Sequence, residues 1–159
     1  MARYDIEEGA YDVDGARVAL VVSRFNGELV EKLRQGALET LRRHGVQGDA
    51  VDVVPVPGAF EIPWMAQRLA ERGHYDAIIA LGVVVRGETP HFEYVAGECA
   101  RGVAEVSRAT GVPVIFGVLT TDDMEQALER AGGRRGNKGS EAAIAALDIV
   151  TTVRRMESG

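Results

Sequence analysis

The chain has 159 residues, 46% hydrophobic and 26% charged, proportions of one soluble globular domain rather than a disordered or fibrous chain. Eighteen Lys and Arg against 24 Asp and Glu give a formal charge of −6, and basic residues cluster only in pairs such as Arg134-Arg135, so the phosphate-neutralising footprint of a nucleic-acid binder is missing. The longest apolar runs fall far short of the ~20 residues that cross a bilayer, and the acidic start has no apolar stretch, so neither a membrane nor nucleic acid is an expected partner. A single cysteine, Cys99, excludes an intramolecular disulfide and any multi-cysteine metal site and fits a reducing cytoplasm.

Residues 1–14 hold Asp5, Glu7, Glu8, Asp12 and Asp14 against Arg3 alone, too little apolar content to join a core by themselves. This arm is expected to be disordered or laid on a neighbouring subunit, and residues 15–159 to form one domain. The run 17–23 (RVALVVS) is continuously apolar, as a parallel strand covered on both faces must be. It leads into Ser23-Arg24-Phe25-Asn26-Gly27. Phe25 suits either a pocket or the underside of the loop, and Asn26 suits a helix N-cap. Val30, Leu33, Ala37 and Leu41 then recur at helical spacing, and Arg42-Arg43-His44-Gly45 supplies the cations and glycine that end a helix.

A second strand, 51–56 (VDVVPV), opens into Pro57-Gly58-Ala59-Phe60-Glu61-Ile62-Pro63. Small residues there let a ligand approach the backbone. Glu61 either accepts hydrogen bonds from ligand hydroxyls or is an acid favoured by the helix dipole. Pro63 marks a helix start and Gly73 its close. The third strand, 77–85 (AIIALGVVV), ends in Arg86-Gly87-Glu88-Thr89-Pro90-His91. Free amides at the start of the next helix make an anion site there. The dipole disfavours an imidazolium at His91, which is either a neutral proton-transfer group or a surface or capping residue.

Phe92, Val95, Cys99, Val103 and Val106 stripe the third helix, with Cys99 as a small core thiol. A fourth strand covers 112–119, Asp122 and Glu125 suggest a capping box for a short helix, and an alanine-rich helix runs from about Asn137 to Arg154. Arg130 and Lys138 are either solvated charges or the joint partners of a doubly charged phosphate. Alternating strands and helices with short connections predict a three-layer α/β/α sandwich around a four-stranded parallel sheet, flavodoxin-like. Neither G-x-x-x-x-G-K-[ST] nor G-x-G-x-x-G occurs, which speaks against ATPase and NAD chemistry, and no G-x-S-x-G elbow surrounds Ser23.

Taken together, Arg24-Phe25-Asn26, the PGAFEIP segment at 57–63, the RG-x-T-x-H segment at 86–91, the GVPVIFG strand and the GNKG stretch at 136–139 resemble the lumazine synthase family, in its order and spacing. The resemblance implies condensation of 5-amino-6-ribitylaminouracil with 3,4-dihydroxy-2-butanone 4-phosphate, releasing phosphate and water, with no metal or organic cofactor. It implies that Phe25 stacks on the pyrimidine beside Asn26. Gly58, Ala59, Phe60 and Glu61 line the ribityl pocket, and Val83 and Val84 contact the pyrimidine through their backbones. Gly87, Glu88 and Thr89 bind the phosphate, and His91 shuttles protons.

It further implies a cytoplasmic homo-oligomer of pentamers in which Phe116, Arg130 and Lys138 complete the adjacent subunit's site, with riboflavin synthase as a further partner. Val83 stands where many members have Thr, and Gly133-Arg134-Arg135-Gly136 replaces the usual lysine-containing turn. That turn bears on whether pentamers stay free or close a sixty-subunit shell, the short connection pointing to the shell. An archaeal-type riboflavin synthase, a non-catalytic lumazine- or flavin-binding shell protein and a flavodoxin-like electron carrier are the rival readings; Phe25, His91 and Arg130 all being present disfavours the non-catalytic one.

Overall fold

The computed structural model describes residues 2–159. Four strands, β1 (Val18–Ser23), β2 (Val51–Val56), β3 (Ala77–Val85) and β4 (Val114–Thr121), form one parallel sheet in the order β2-β1-β3-β4. Between and after them run α1 (Gly27–Arg43), α2 (Ile62–Ala70), α3 (His91–Thr110), α4 (Met124–Arg130) and α5 (Lys138–Ser158). One face of the sheet buries Leu20, Leu81 and Val83 against Leu33 of α1, Ala127 of α4 and Leu147 of α5. The other buries Val21, Ile78 and Ala80 against Ile62 of α2 and Cys99 and Val103 of α3. This is the expected three-layer α/β/α, flavodoxin-like sandwich. Successive β1 residues point to opposite cores, which explains a run of six buried positions with no polar alternation.

Several boundaries differ from expectation for identifiable reasons. Strand β4 starts at Val114, since Pro113 has only a carbonyl to offer, which accepts from the Ile78 amide at 2.9 Å. It runs on through Thr120 and Thr121, paired with Val84 and Val85, beyond where the apolar pattern stops. The cap of α4 is Asp123, not Asp122: its carboxylate accepts from the Gln126 amide at 2.8 Å, while the Gln126 side chain accepts from the Asp122 amide at 2.9 Å. Asp122 is instead turned to Arg86. A hairpin precedes α5, with β5 (Ala131–Gly133) and β6 (Gly136–Asn137) joined by Arg134 and Arg135. Asn137 then caps α5, accepting from the Ser140 amide at 3.1 Å.

The arm expected to lack core contacts of its own is tied down at its inner end. Val13 is buried and Tyr11 packs against the α1–α5 core, its ring meeting His44 edge-on at 5.1 Å. The Asp12 amide donates to Thr151 Oγ1 at 2.9 Å, and Arg154 donates to the carbonyls of Asp12 and Asp14. Alternating polar and apolar residues hide this anchor, because a single Val and a single Tyr carry it.

Cys99 is fully buried on α3, and burial pushes its thiol up to about 12 from an ordinary value of 9.0. The native chain therefore keeps this proton where the unfolded chain releases it, so the thiol's contribution to stability is present below pH 9 and declines as pH rises from there towards 12. Iodoacetamide at pH 8 is expected to leave Cys99 unmodified in the native protein and to alkylate it in urea, as read by intact mass. Alkylation of the native protein at the unfolded rate would contradict this packing.

Candidate active site

Chain order and sheet order diverge at β1, where β2 lies on one side and β3 on the other. At such a switch point the connections leave in opposite directions and open a crevice beyond the carboxyl ends of the strands. A cleft of about 670 Å³ occupies that place. Its walls come from the end of β3, at Val83, Val84 and Val85, and from the three segments that follow β1, β2 and β3: Phe25 from the first, Pro57 through Glu61 from the second, and Gly87, Thr89 and His91 from the third. Phe92, Tyr94 and Val95 of α3 close the remaining side. Of these, Tyr94 is a residue that sequence reasoning missed, since its position off the apolar stripe reads as solvent-facing.

The ambiguity over Phe25 and Asn26 is settled by geometry. Phe25 is 70% exposed, so its ring serves the cleft and not the core. Asn26 occupies the N-cap position of α1 but makes no side-chain cap bond. Its backbone is left-handed at φ 57°, a conformation that Asn tolerates better than most residues with a Cβ. Its side-chain amide donates to the Val83 carbonyl at 2.9 Å. The backbone amides of Arg24 and Phe25 donate to the carbonyls of Val56 and Pro57, at 2.8 and 3.2 Å. The loop after β1 is thus fastened to the ends of both neighbouring strands, which fixes where the Phe25 ring stands.

Residues 59–61 form a 3-10 turn ahead of α2, begun by the Glu61 amide donating to the Gly58 carbonyl at 3.2 Å. Glu61 sits in the cleft wall together with Phe60, which is half exposed. Gly58 lies directly beneath the Glu61 carboxylate: a Cβ there would meet Glu61 Oε1 at 3.4 Å. An acceptor beside an exposed backbone turn and two aromatic rings suits a ligand that carries a flat ring and hydrogen-bond donors.

The β3–α3 connection places Gly87, Thr89 and His91 in the same cleft, and leaves Glu88 outside its lining. His91 is the first residue of α3, and its amide donates weakly to Thr89 Oγ1 at 3.4 Å. Arg86, singled out in no role by the sequence, donates from Nε to Asp122 at 3.1 Å and from Nη1 to Glu93, and lies 4.4 Å from the Phe92 ring centroid. The hydrogen bonds it donates to Glu93 first, and then to Asp122, raise the guanidinium further above its already high value.

Phe116, Arg130 and Lys138 do not enter this cleft. They line a second one, of about 410 Å³, along the outer edge of β4 together with Arg135 and Glu141. Arg130 donates to the Gln126 carbonyl at 3.0 Å and stands 3.8 Å from Glu129, whose closer partner is Arg134 at 2.6 Å. Its guanidinium therefore keeps donors for an external anion.

Among the described residues no helix is long and apolar enough to cross a membrane. Compared with known proteins, residues 15–154 match the profile of the family described as 6,7-dimethyl-8-ribityllumazine synthase. A match over nearly the whole length, on the fold and with the cleft described above, means that this chain belongs to the 6,7-dimethyl-8-ribityllumazine synthase family.

Proposed function

We propose that this protein makes 6,7-dimethyl-8-ribityllumazine by condensing 5-amino-6-ribitylaminouracil with 3,4-dihydroxy-2-butanone 4-phosphate, releasing phosphate and water, without metal or organic cofactor. The observation that carries this reading is the convergence of Phe25, Glu61, Thr89 and His91 on one cleft at the sheet's switch point. The pyrimidine stacks on Phe25 over the carboxyl end of β3, at Val83 and Val84, with Asn26 holding the adjacent carbonyl. The ribityl chain extends along residues 58–61, its hydroxyls donating to Glu61. The phosphate sits on the backbone around Gly87 and Glu88 and on the Thr89 hydroxyl, where helix amides lacking intrahelical acceptors face it.

His91, one residue into α3, then lies between the phosphate and the carbonyl carbon under attack. It accepts a proton from the attacking amine and returns protons to departing water and phosphate. Alignment of two reactive small molecules supplies most of the acceleration and proton transfer the rest. Phe116, Arg130 and Lys138 complete the site of a neighbouring subunit in a pentamer, which accords with their separate cleft on the free edge of β4. Arg130 pairs there with the neighbour's phosphate.

The purified protein is mixed with both substrates, lumazine is followed by absorbance, and the uncatalysed rate is subtracted. Product above background with equimolar phosphate is expected; an assembled sample that adds nothing to background contradicts the proposal. His91→Ala is expected to slow turnover by about 10²-fold without abolishing it, because positioning survives. Complete loss in a correctly assembled variant would show that proton transfer dominates instead.

A further inference from the structure

We propose that Arg86 is a positioning residue that staples the two ends of the 87–90 loop and so sets how tightly the cleft holds a phosphate group. The inference rests on the reading of that loop as the phosphate site. At the loop's entrance, the Arg86 amide donates to the Thr121 carbonyl at 2.8 Å, continuing the β3–β4 ladder by one rung. Beyond the loop's exit, the same residue's side chain reaches Glu93, seven positions on, and covers the Phe92 ring. Its Nε holds Asp122 at the end of β4. One side chain thereby ties the loop, the first turn of α3 and the β4–α4 junction together.

Within the loop there is little else to hold it. The bonds at its exit are the Glu93 amide to the Pro90 carbonyl at 3.0 Å and the long contact from the His91 amide to Thr89. The guanidinium already faces two carboxylates, so it acts as a tie and not as a free anion ligand. All three charged side chains are about half exposed or more. Surface pairs of this kind contribute little to global stability, so the staple is expected to govern local loop geometry and leave the melting temperature nearly unchanged. The fork matters as well as the charge. Lysine offers a point charge that reaches one carboxylate at a time.

The test is calorimetric titration of the assembled protein with inorganic phosphate, comparing wild type with R86M, R86K and E93Q, with lumazine synthesis and thermal melting followed in the same samples. Loss of the staple is expected to weaken phosphate binding about 10-fold in R86M, and about 3-fold in both R86K and E93Q. E93Q is decisive. Removing a negative charge near an anion site strengthens binding if only the electrostatic field matters, and weakens it if Glu93 anchors the loop. Tighter phosphate binding by E93Q, or R86K equal to wild type, overturns the staple. Those results alongside normal lumazine synthesis leave the synthase reading intact. Phosphate bound by wild type with no lumazine formed sinks the synthase reading alone, and the variants still decide the staple. A wild type that binds no phosphate overturns both.

Discussion

Co-refolding the Arg130→Ala and His91→Ala proteins is expected to give more activity than the average of the two parents. Each homomer contains only damaged sites. On the proposed reading, removing Arg130 takes away a charge-assisted pair with phosphate, worth about 1.5–3 kcal/mol, or roughly 10- to 150-fold in affinity for the butanone phosphate. Removing His91 takes away the proposed proton shuttle. In the proposed head-to-tail ring each interface would join the first cleft of one subunit to the second cleft of the next. Random mixing in equal amounts then yields roughly one interface in four with His91 and Arg130 both intact.

Those interfaces should show wild-type affinity for the phosphate substrate, so the progress curve splits into a fast, tight component and a slow residue. The structural basis is that Arg130 lines the β4-edge cleft while His91 lines the switch-point cleft of the same chain. Activity no better than the parental average would show that both clefts serve one subunit's own site. The Arg130→Ala homomer should also be the weaker parent for the butanone phosphate, and an unchanged Michaelis constant for that substrate would contradict the pairing.

What the sequence makes legible depends on how local the signal is. The inner strands β1 and β3 announce themselves because parallel strands covered on both faces leave uninterrupted apolar runs, and site segments follow them directly. The α1 and α3 stripes are equally plain. Other features depend on partners distant in sequence. Asn26 looks like a cap, yet its side chain goes to Val83, 57 residues away, because β1 ends short of β3 and leaves that carbonyl to be satisfied.

Asp122 looks like a cap for the same reason of local pattern, but Arg86 claims it and the cap moves to Asp123. In the 131–137 hairpin the glycines around Arg134-Arg135 mark the turn, but the strands on either side are too short for any period to show. Val13 and Tyr11 pack on the core beside the end of α1, and Asp12 between them is held by Thr151 of α5, so the partners of the arm lie far along the chain and no pattern within it announces them. Arg86 carries one local sign: an acidic residue at a distance that spans a loop between a strand and a helix.

Gly139→Ala is expected to cost about 3 kcal/mol, at the upper end of what one added methyl does in a packed interior. Gly139 is the second residue of α5, buried where that helix crosses α1. A Cβ built there would overlap the Leu33 backbone carbonyl and approach Leu33 Cα at 2.9 Å. Backbone cannot rotate aside as a side chain can, so the two helices must separate. Their separation has a second cost nearby. Asn137 caps α5 and also donates to the Lys32 carbonyl at 3.0 Å, and it packs so tightly on Gly36 that a Cβ there would have to push the Asn137 amide aside.

Moving α5 outward strains that clamp and shifts Lys138, which lines the β4-edge cleft. For a domain of this size the melting temperature should fall by roughly 6–12 °C, and urea unfolding should show a lower midpoint with an unchanged slope. The preserved slope matters, since it separates a steric cost in the native state from a change in how much surface unfolding exposes. A Gly139→Ala protein that melts with wild type would mean that α1 and α5 stand further apart than this packing places them.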